Sequence, residues 1–158
     1  MQARAFAPAR AHHLLDTNLG GAVNTLAVTL PRLLAAGGGI ALVSSVAGYR
    51  GLPQSLIYGP TKAALINLAE ALYLELHARG VNVYLVNPGF VRTPLTAPNE
   101  FRMPALIDAD EAARAIVAGC ERGAFEIHFP RRFTCLLKTL RMLPYALYFP
   151  LITWLTRP

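Results

Sequence analysis

Three short apolar runs, each preceded by a stretch of helical periodicity, limit what this chain can fold into. The runs are Ile40-Ala41-Leu42-Val43, Val81-Asn82-Val83-Tyr84-Leu85-Val86 and Phe125-Glu126-Ile127-His128-Phe129. Each is strand-sized and flanked by Gly or Pro. Ahead of the first, Leu15, Leu19, Val23, Leu26, Leu30 and Leu33 recur at helical spacing, which predicts a helix over residues 12–36. Gly37-Gly38-Gly39 ends it, because glycine tolerates the left-handed conformation of a helix C-terminus. A second helix is predicted over residues 57–78, with Leu65, Leu68, Ala69, Leu72 and Leu76 on one face and Arg79-Gly80 as its stop. A third opens at Asp108-Ala109-Asp110-Glu111, where acidic side chains suit the positive end of the helix dipole, and closes near Arg122-Gly123. Helix–strand alternation requires parallel strands joined by crossover helices, hence an α/β doubly wound sheet. The first run, wholly apolar, reads as a strand buried on both faces.

Charge narrows the partners. Of the net charge of +6, five charges lie in residues 128–158 (Arg131, Arg132, Lys138, Arg141 and Arg157), a segment with no Asp or Glu. The 10 basic and 9 acidic residues left on 1–127 make a nearly neutral body, which argues against a nucleic-acid-binding surface. Cys120 and Cys135 have no metal-ligand or C-x-x-C spacing, and His12, His13, His77 and His128 have no ligand spacing, so no metal is expected. Two such thiols fit a reducing cytoplasm. The first fifteen residues contain two arginines and no continuous apolar run, unlike a secretory signal. The uncharged apolar stretch over residues 142–156, 15 residues with two prolines, is shorter than the roughly 20 residues a spanning helix needs. The chain therefore reads as soluble or surface-bound.

Chemistry is suggested by Tyr58 and Lys62, four residues apart and so on one helical face. A free phenol, with a pKa of about 10, is a poor acid or base near neutrality. A nearby ammonium favours the phenolate, and such a pair can exchange a proton with a carbonyl or alcohol oxygen. Ser44 and Ser45 follow the first strand. In open parallel sheets ligands bind at the carboxyl ends of strands, so a serine there is placed to hydrogen-bond a substrate oxygen.

Ser45 precedes Tyr58 by thirteen residues, and Tyr58-Gly59-Pro60-Thr61-Lys62 follows the pattern Y-x-x-x-K. This resembles the active-site segment of the short-chain dehydrogenase/reductase family. Asp16-Thr17-Asn18-Leu19-Gly20-Gly21 resembles the family's asparagine helix, and Asn87-Pro88-Gly89-Phe90-Val91-Arg92-Thr93 its P-G segment. The resemblance spans roughly residues 12–95. It implies a Rossmann-like fold, a carbonyl or alcohol substrate and NAD or NADP as cofactor. It implies Tyr58 as general acid/base and Lys62 as the group that depresses its pKa and holds the nicotinamide ribose. Ser45 would position the substrate oxygen, and Asn18 would interrupt its helix and hold a relay water. Pro88, Gly89, Val91 and Thr93 would contact the nicotinamide end. The long helices would pair in a homo-oligomer.

The family's glycine-rich turn T-G-x-x-x-G-x-G does not occur in this sequence. At roughly 30 residues per βαβ step, about 90 residues would be missing ahead of residue 12. Residues 1–130 then read as a partial domain without its dinucleotide-binding half. A non-catalytic remnant is the rival expectation. Within the tail over 131–158, residues 131–143 read as a basic amphipathic helix, with Phe133, Leu136, Leu137, Leu140 and Leu143 on an apolar stripe and Lys138 and Arg141 off it; Pro144 breaks it, and an apolar, aromatic stretch follows. This tail suits either peripheral membrane contact with an apolar or lipid-like substrate, or a flap packed on the substrate pocket or a partner subunit. Residues 94–107, with Phe101, Met103 and Leu106, read as a greasy lid or an ordinary loop.

Overall fold

The computed structural model describes residues 3–94, 96–97, 101 and 103–156. The strands are β1 (Gly38–Val43), β2 (Val81–Pro88) and β3 (Glu126–Phe129). They form a parallel sheet in the order β1-β2-β3, with Ile40 opposite Val83 and Val86 opposite Ile127. The helices are α1 (Pro8–Leu15), α2 (Gly21–Ala36), α3 (Tyr58–Leu76), α4 (Ala109–Glu121), α5 (Arg131–Arg141) and α6 (Tyr145–Leu155). The α/β expectation is met, with helices on both faces.

Side-chain alternation explains the layers. Leu42, Val81, Val83 and Leu85 face one way, into a core closed by Leu26 of α2 and Leu65, Ala69 and Leu72 of α3. Val86, Ile127 and Phe129 face the other way, against Ala112 and Ile116 of α4. Gly119 brings α4 close to the sheet: a Cβ there would lie 2.6 Å from Ile127 Cγ1.

The expectation for the first strand needs correction. β1 is an edge strand, and it is covered on one face only. Gly39, Ala41 and Val43 are exposed, Val43 by 52%. α4 packs on β2 and β3, and that side of β1 stays open to solvent at Gly39, Ala41 and Val43. β2 runs two residues beyond expectation because Asn87 and Pro88 pair with His128 and Phe129.

The predicted helix over 12–36 is longer and contains a wide turn. Asp16–Gly20 is π-helical, and the Gly21 amide bonds the Asp16 carbonyl five residues back. The continuous run Pro8–Ala36 is long and apolar enough by composition to cross a membrane. Here it rests on the body through Ala11 and Leu26, with Asn18 bonded to α3. Gly37 (φ 73°) and Gly80 (φ 75°) take the left-handed conformations expected at helix ends.

The tail folds back on the body. Phe133 and Leu137 pack against the α3-side core, and Leu140, Tyr148 and Ile152 form a further cluster with Leu52. Two sequence expectations change here. Leu136, placed on the apolar stripe, is exposed, whereas Lys138, placed off it, turns inward and pairs with Glu126. Of the loop over 94–107, residues 95, 98–100 and 102 lie outside the described residues. Phe101 meets the edge of Phe90, and Val91 bridges Ile107 at the loop's base.

Candidate active site

The site is built where β1 stops. Ser44 is held beside the sheet by an amide bond to the Val86 carbonyl, and its hydroxyl donates to the Lys62 carbonyl at 2.7 Å. Ser45 caps the short turn Val46–Gly48, accepting from the Ala47 amide at 3.2 Å. That turn lies flat on α3. A Cβ on Gly48 would sit 2.7 Å from the Lys62 carbonyl carbon and 2.8 Å from the Ala63 nitrogen. The absence of a side chain at Gly48 thus sets how near Ser45 comes to the first turn of α3.

Across that gap the Ser45 hydroxyl faces the Tyr58 side chain. Burial raises the Tyr58 pKa above its ordinary value, and the Ser45 hydroxyl offsets part of the rise. Lys62 places Nζ 5.6 Å from the Tyr58 ring centroid and donates to the Val43 carbonyl at 2.9 Å. Burial lowers its pKa. The expected electrostatic hold of Lys62 on the Tyr58 pKa is therefore not the dominant influence in this geometry; desolvation is.

Asn18 occupies the π-helical turn, matching the expected interruption of its helix. Its Nδ2 donates at 3.0 Å to Thr61 Oγ1, which itself donates to the Tyr58 carbonyl at 2.8 Å. Asn18 and Lys62 also line one groove of about 310 Å³ between α2 and the free edge of β1. Ser45, Tyr58, Lys62 and Asn18 are thus brought together.

The second group sits at the ends of β2 and β3. Pro88 closes β2, and the Gly89 amide bonds the Phe129 carbonyl at 2.7 Å. A Cβ at Gly89 would lie 3.1 Å from Phe133 Cδ1, so the position demands a small residue. Val91 bridges Ile107, and the Thr93 amide bonds Thr96 Oγ1 at 3.0 Å.

Several contributors escape sequence reasoning. Thr61, 1% exposed, joins Asn18 to the tyrosine turn; its one signal is its place within Y-x-x-x-K. Glu126 is a junction with no sequence signal. Its carboxylate accepts from Tyr49 and Asn87 at 2.8 Å each and from Lys138. It ties the segment after Ser45, the end of β2 and α5 together. Burial pushes its pKa up, but the hydrogen bonds from Lys138, Asn87 and Tyr49 and the Lys138 charge outweigh this and leave it below the ordinary value. His128 is a satisfied strand histidine, its Nδ1 2.7 Å from Thr134 Oγ1. Among the described residues no group of His, Cys, Asp and Glu could hold a metal.

Comparisons with known proteins show the family and the fold. The profile of the family described as short chain dehydrogenase matches residues 2–102. The chain belongs to that family. Over 140 residues it is 36% identical to an uncharacterized oxidoreductase of Myxococcus xanthus, covering 88% of this chain and 55% of that protein. An 11-beta-hydroxysteroid dehydrogenase-like protein of Arabidopsis thaliana is 35% identical over 117 residues, covering 70% of this chain and 39% of the relative. A short chain dehydrogenase from Burkholderia cenocepacia, solved with NADP, aligns with TM-score 0.82 and 25% identity, covering all of this chain and 66% of that one. One from Sphingobium yanoikuyae, solved with NADPH, aligns with TM-score 0.75 and 25% identity, covering 92% of this chain and 62% of that one. The chain thus spans about half the length of the curated relatives it matches and about two thirds of the solved structures.

Proposed function

We propose that this short chain dehydrogenase carries the proton-transfer and nicotinamide-end residues of an NAD(P)-dependent carbonyl reductase or alcohol dehydrogenase. The observation that carries the reading is the Lys62 ammonium 5.6 Å from the centre of the Tyr58 phenol ring, at the carboxyl end of β1 where Ser45 begins the next turn. The raised pKa keeps the proton on Tyr58 at neutral pH, and the nearby Lys62 ammonium would have to lower that pKa for the proton to pass to a carbonyl oxygen as it gains charge. Ser45 would orient the same oxygen. Lys62 would exchange its bond to the Val43 carbonyl for the ribose hydroxyls of the cofactor.

The donor set of ammonium, phenol and strand-end backbone fits the nicotinamide end of such a cofactor, with Tyr58, Lys62, Pro88, Gly89, Val91 and Thr93 as the holding residues. The dinucleotide would supply or accept the hydride; the residues supply orientation and the proton. A pyrophosphate cradle, the glycine-rich turn between a strand and a helix, has no counterpart in the sequence. The open edge of β1 is where the rest of a cofactor-binding sheet would add.

The reading separates into two measurements. Calorimetric titration of the 158-residue chain with NADH and NADPH should give no micromolar binding; micromolar affinity would refute the dependence on a further sheet. In a complete enzyme containing this segment, Tyr58→Phe should abolish turnover and leave cofactor binding largely intact. Retained turnover would remove Tyr58 from the proton-transfer role.

A further inference from the structure

We propose that α5 and α6 form a docking surface for an anionic lipid bilayer, independently of the catalytic reading above. From Met142 to Thr156 the sequence contains no charged residue. A helix apolar on every side is ordinarily buried on every side. α6 instead buries only Tyr148 and Ile152. Met142 is 85% exposed, and Tyr145, Leu147, Phe149, Trp154 and Leu155 are all more than half exposed. So many large apolar side chains exposed along α6 and the turn before it mark an interaction surface.

The surface is held rigidly. The Arg50 guanidinium donates to the carbonyls of Leu140, Arg141 and Leu143, where the chain turns from α5 into α6. It stacks 4.0 Å from the Tyr148 ring centroid and 4.6 Å from that of Tyr145. Tyr148 Oη donates to the Gly51 carbonyl at 2.9 Å. The outward side chains are therefore presented and do not fold inward.

Charge selects the occupant. Arg131, Arg132 and Arg141 are exposed at the two ends of α5, and residues 128–158 hold no acidic side chain. Arg131 and Arg132 occupy the first turn of α5, the end at which a helix dipole disfavours cations. Their placement does not serve helix stability, and it suits an external anionic surface. Tyr145 and Trp154, near opposite ends of α6, are amphipathic rings of the type that settles at headgroup level. At 11 residues α6 is about 16 Å long, against a hydrocarbon core of about 30 Å, so it lies along the interface and does not span it.

Trp154 is the protein's single tryptophan, which makes its emission a direct probe of the surface. With the 158-residue chain, mixed phosphatidylcholine–phosphatidylglycerol vesicles should shift that emission to the blue and carry the protein down on sedimentation. Pure phosphatidylcholine vesicles should do neither. Arg131→Gln with Arg132→Gln, both on exposed side chains, should weaken binding roughly fivefold per arginine, about 25-fold together. Leu147→Ser with Phe149→Ser should remove the blue shift at unchanged circular dichroism; if that variant does not fold, the arginine pair decides. Absence of binding to the mixed vesicles, or equal binding to both kinds, overturns the proposal. So does a concentration-dependent dimer that shifts Trp154 emission without lipid, which would assign this face to a second copy of the chain.

Discussion

Gly48→Ala is the smallest change that tests how the site is assembled. The new methyl would stand 2.7–2.8 Å from three backbone atoms of Lys62 and Ala63. Ordinary carbon contacts lie at about 3.5–4.0 Å, so the turn after Ser45 must retreat by roughly 0.7–1 Å. The obstacle is helix backbone, which cannot rotate aside as a side chain could. Overpacking of this kind costs about 1–3 kcal/mol. Replacing Gly by Ala also restricts the unfolded chain, which returns about 0.4–1 kcal/mol. The net expectation is a loss of about 1–2 kcal/mol. With a urea m-value of about 2 kcal/mol/M, the unfolding midpoint should fall by roughly 0.5–1 M at constant slope. Gly51→Ala is the matched control, because a Cβ there meets nothing within 4 Å, and it should raise the midpoint by roughly 0.2–0.5 M through the unfolded-chain effect alone. A Gly48→Ala midpoint equal to or above that of the unsubstituted chain would refute the close-approach argument. It would also remove the reason given for the Ser45–Tyr58 separation.

Three further outcomes follow from the same geometry. Ser44→Ala removes the 2.7 Å hydroxyl donor to the Lys62 carbonyl, which keeps its helical partner, and should cost about 0.5–1.5 kcal/mol, read by the same urea titration. The Glu126 carboxyl has its folded pKa below the ordinary 4.5, so its stabilising effect is complete above that value and is lost as pH falls through the lower folded pKa. Glu126→Gln should accordingly flatten the acid limb of stability against pH below about 4.5; an unchanged limb would show that the junction contributes nothing. Arg50→Ala removes charged hydrogen bonds to the turn between α5 and α6 and should loosen the α6 cluster, lowering the thermal midpoint and raising amide exchange at Tyr148 and Ile152.

Local chemistry made much of this molecule legible. Parallel strands follow from short apolar runs separated by helix-length segments, and the observed strands differ from expectation by about two residues at their ends. Gly37 and Gly80 stop their helices because the left-handed turns there suit no other residue as well. The tyrosine–lysine spacing and the serine thirteen residues earlier were visible as letters, and the fold does bring them together with Asn18. The amphipathic reading of α5 failed at Lys138 because periodicity assigns a face to a charge without knowing that Glu126 waits on it.

What the sequence by itself determined is the order and type of the elements and the spacing of Ser45, Tyr58 and Lys62, since both depend on near neighbours in the chain. Tertiary structure alone decided the rest. It set the one-sided cover of β1, the Gly48 contact that fixes the serine turn on α3, the Glu126 junction, and the exposed apolar face of α6. Each of these depends on groups far apart in sequence, from the 18 residues separating Ser44 from Lys62 to the 97 separating Gly51 from Tyr148. No local pattern encodes which distant surface a side chain will meet, because that is settled by how the layers pack.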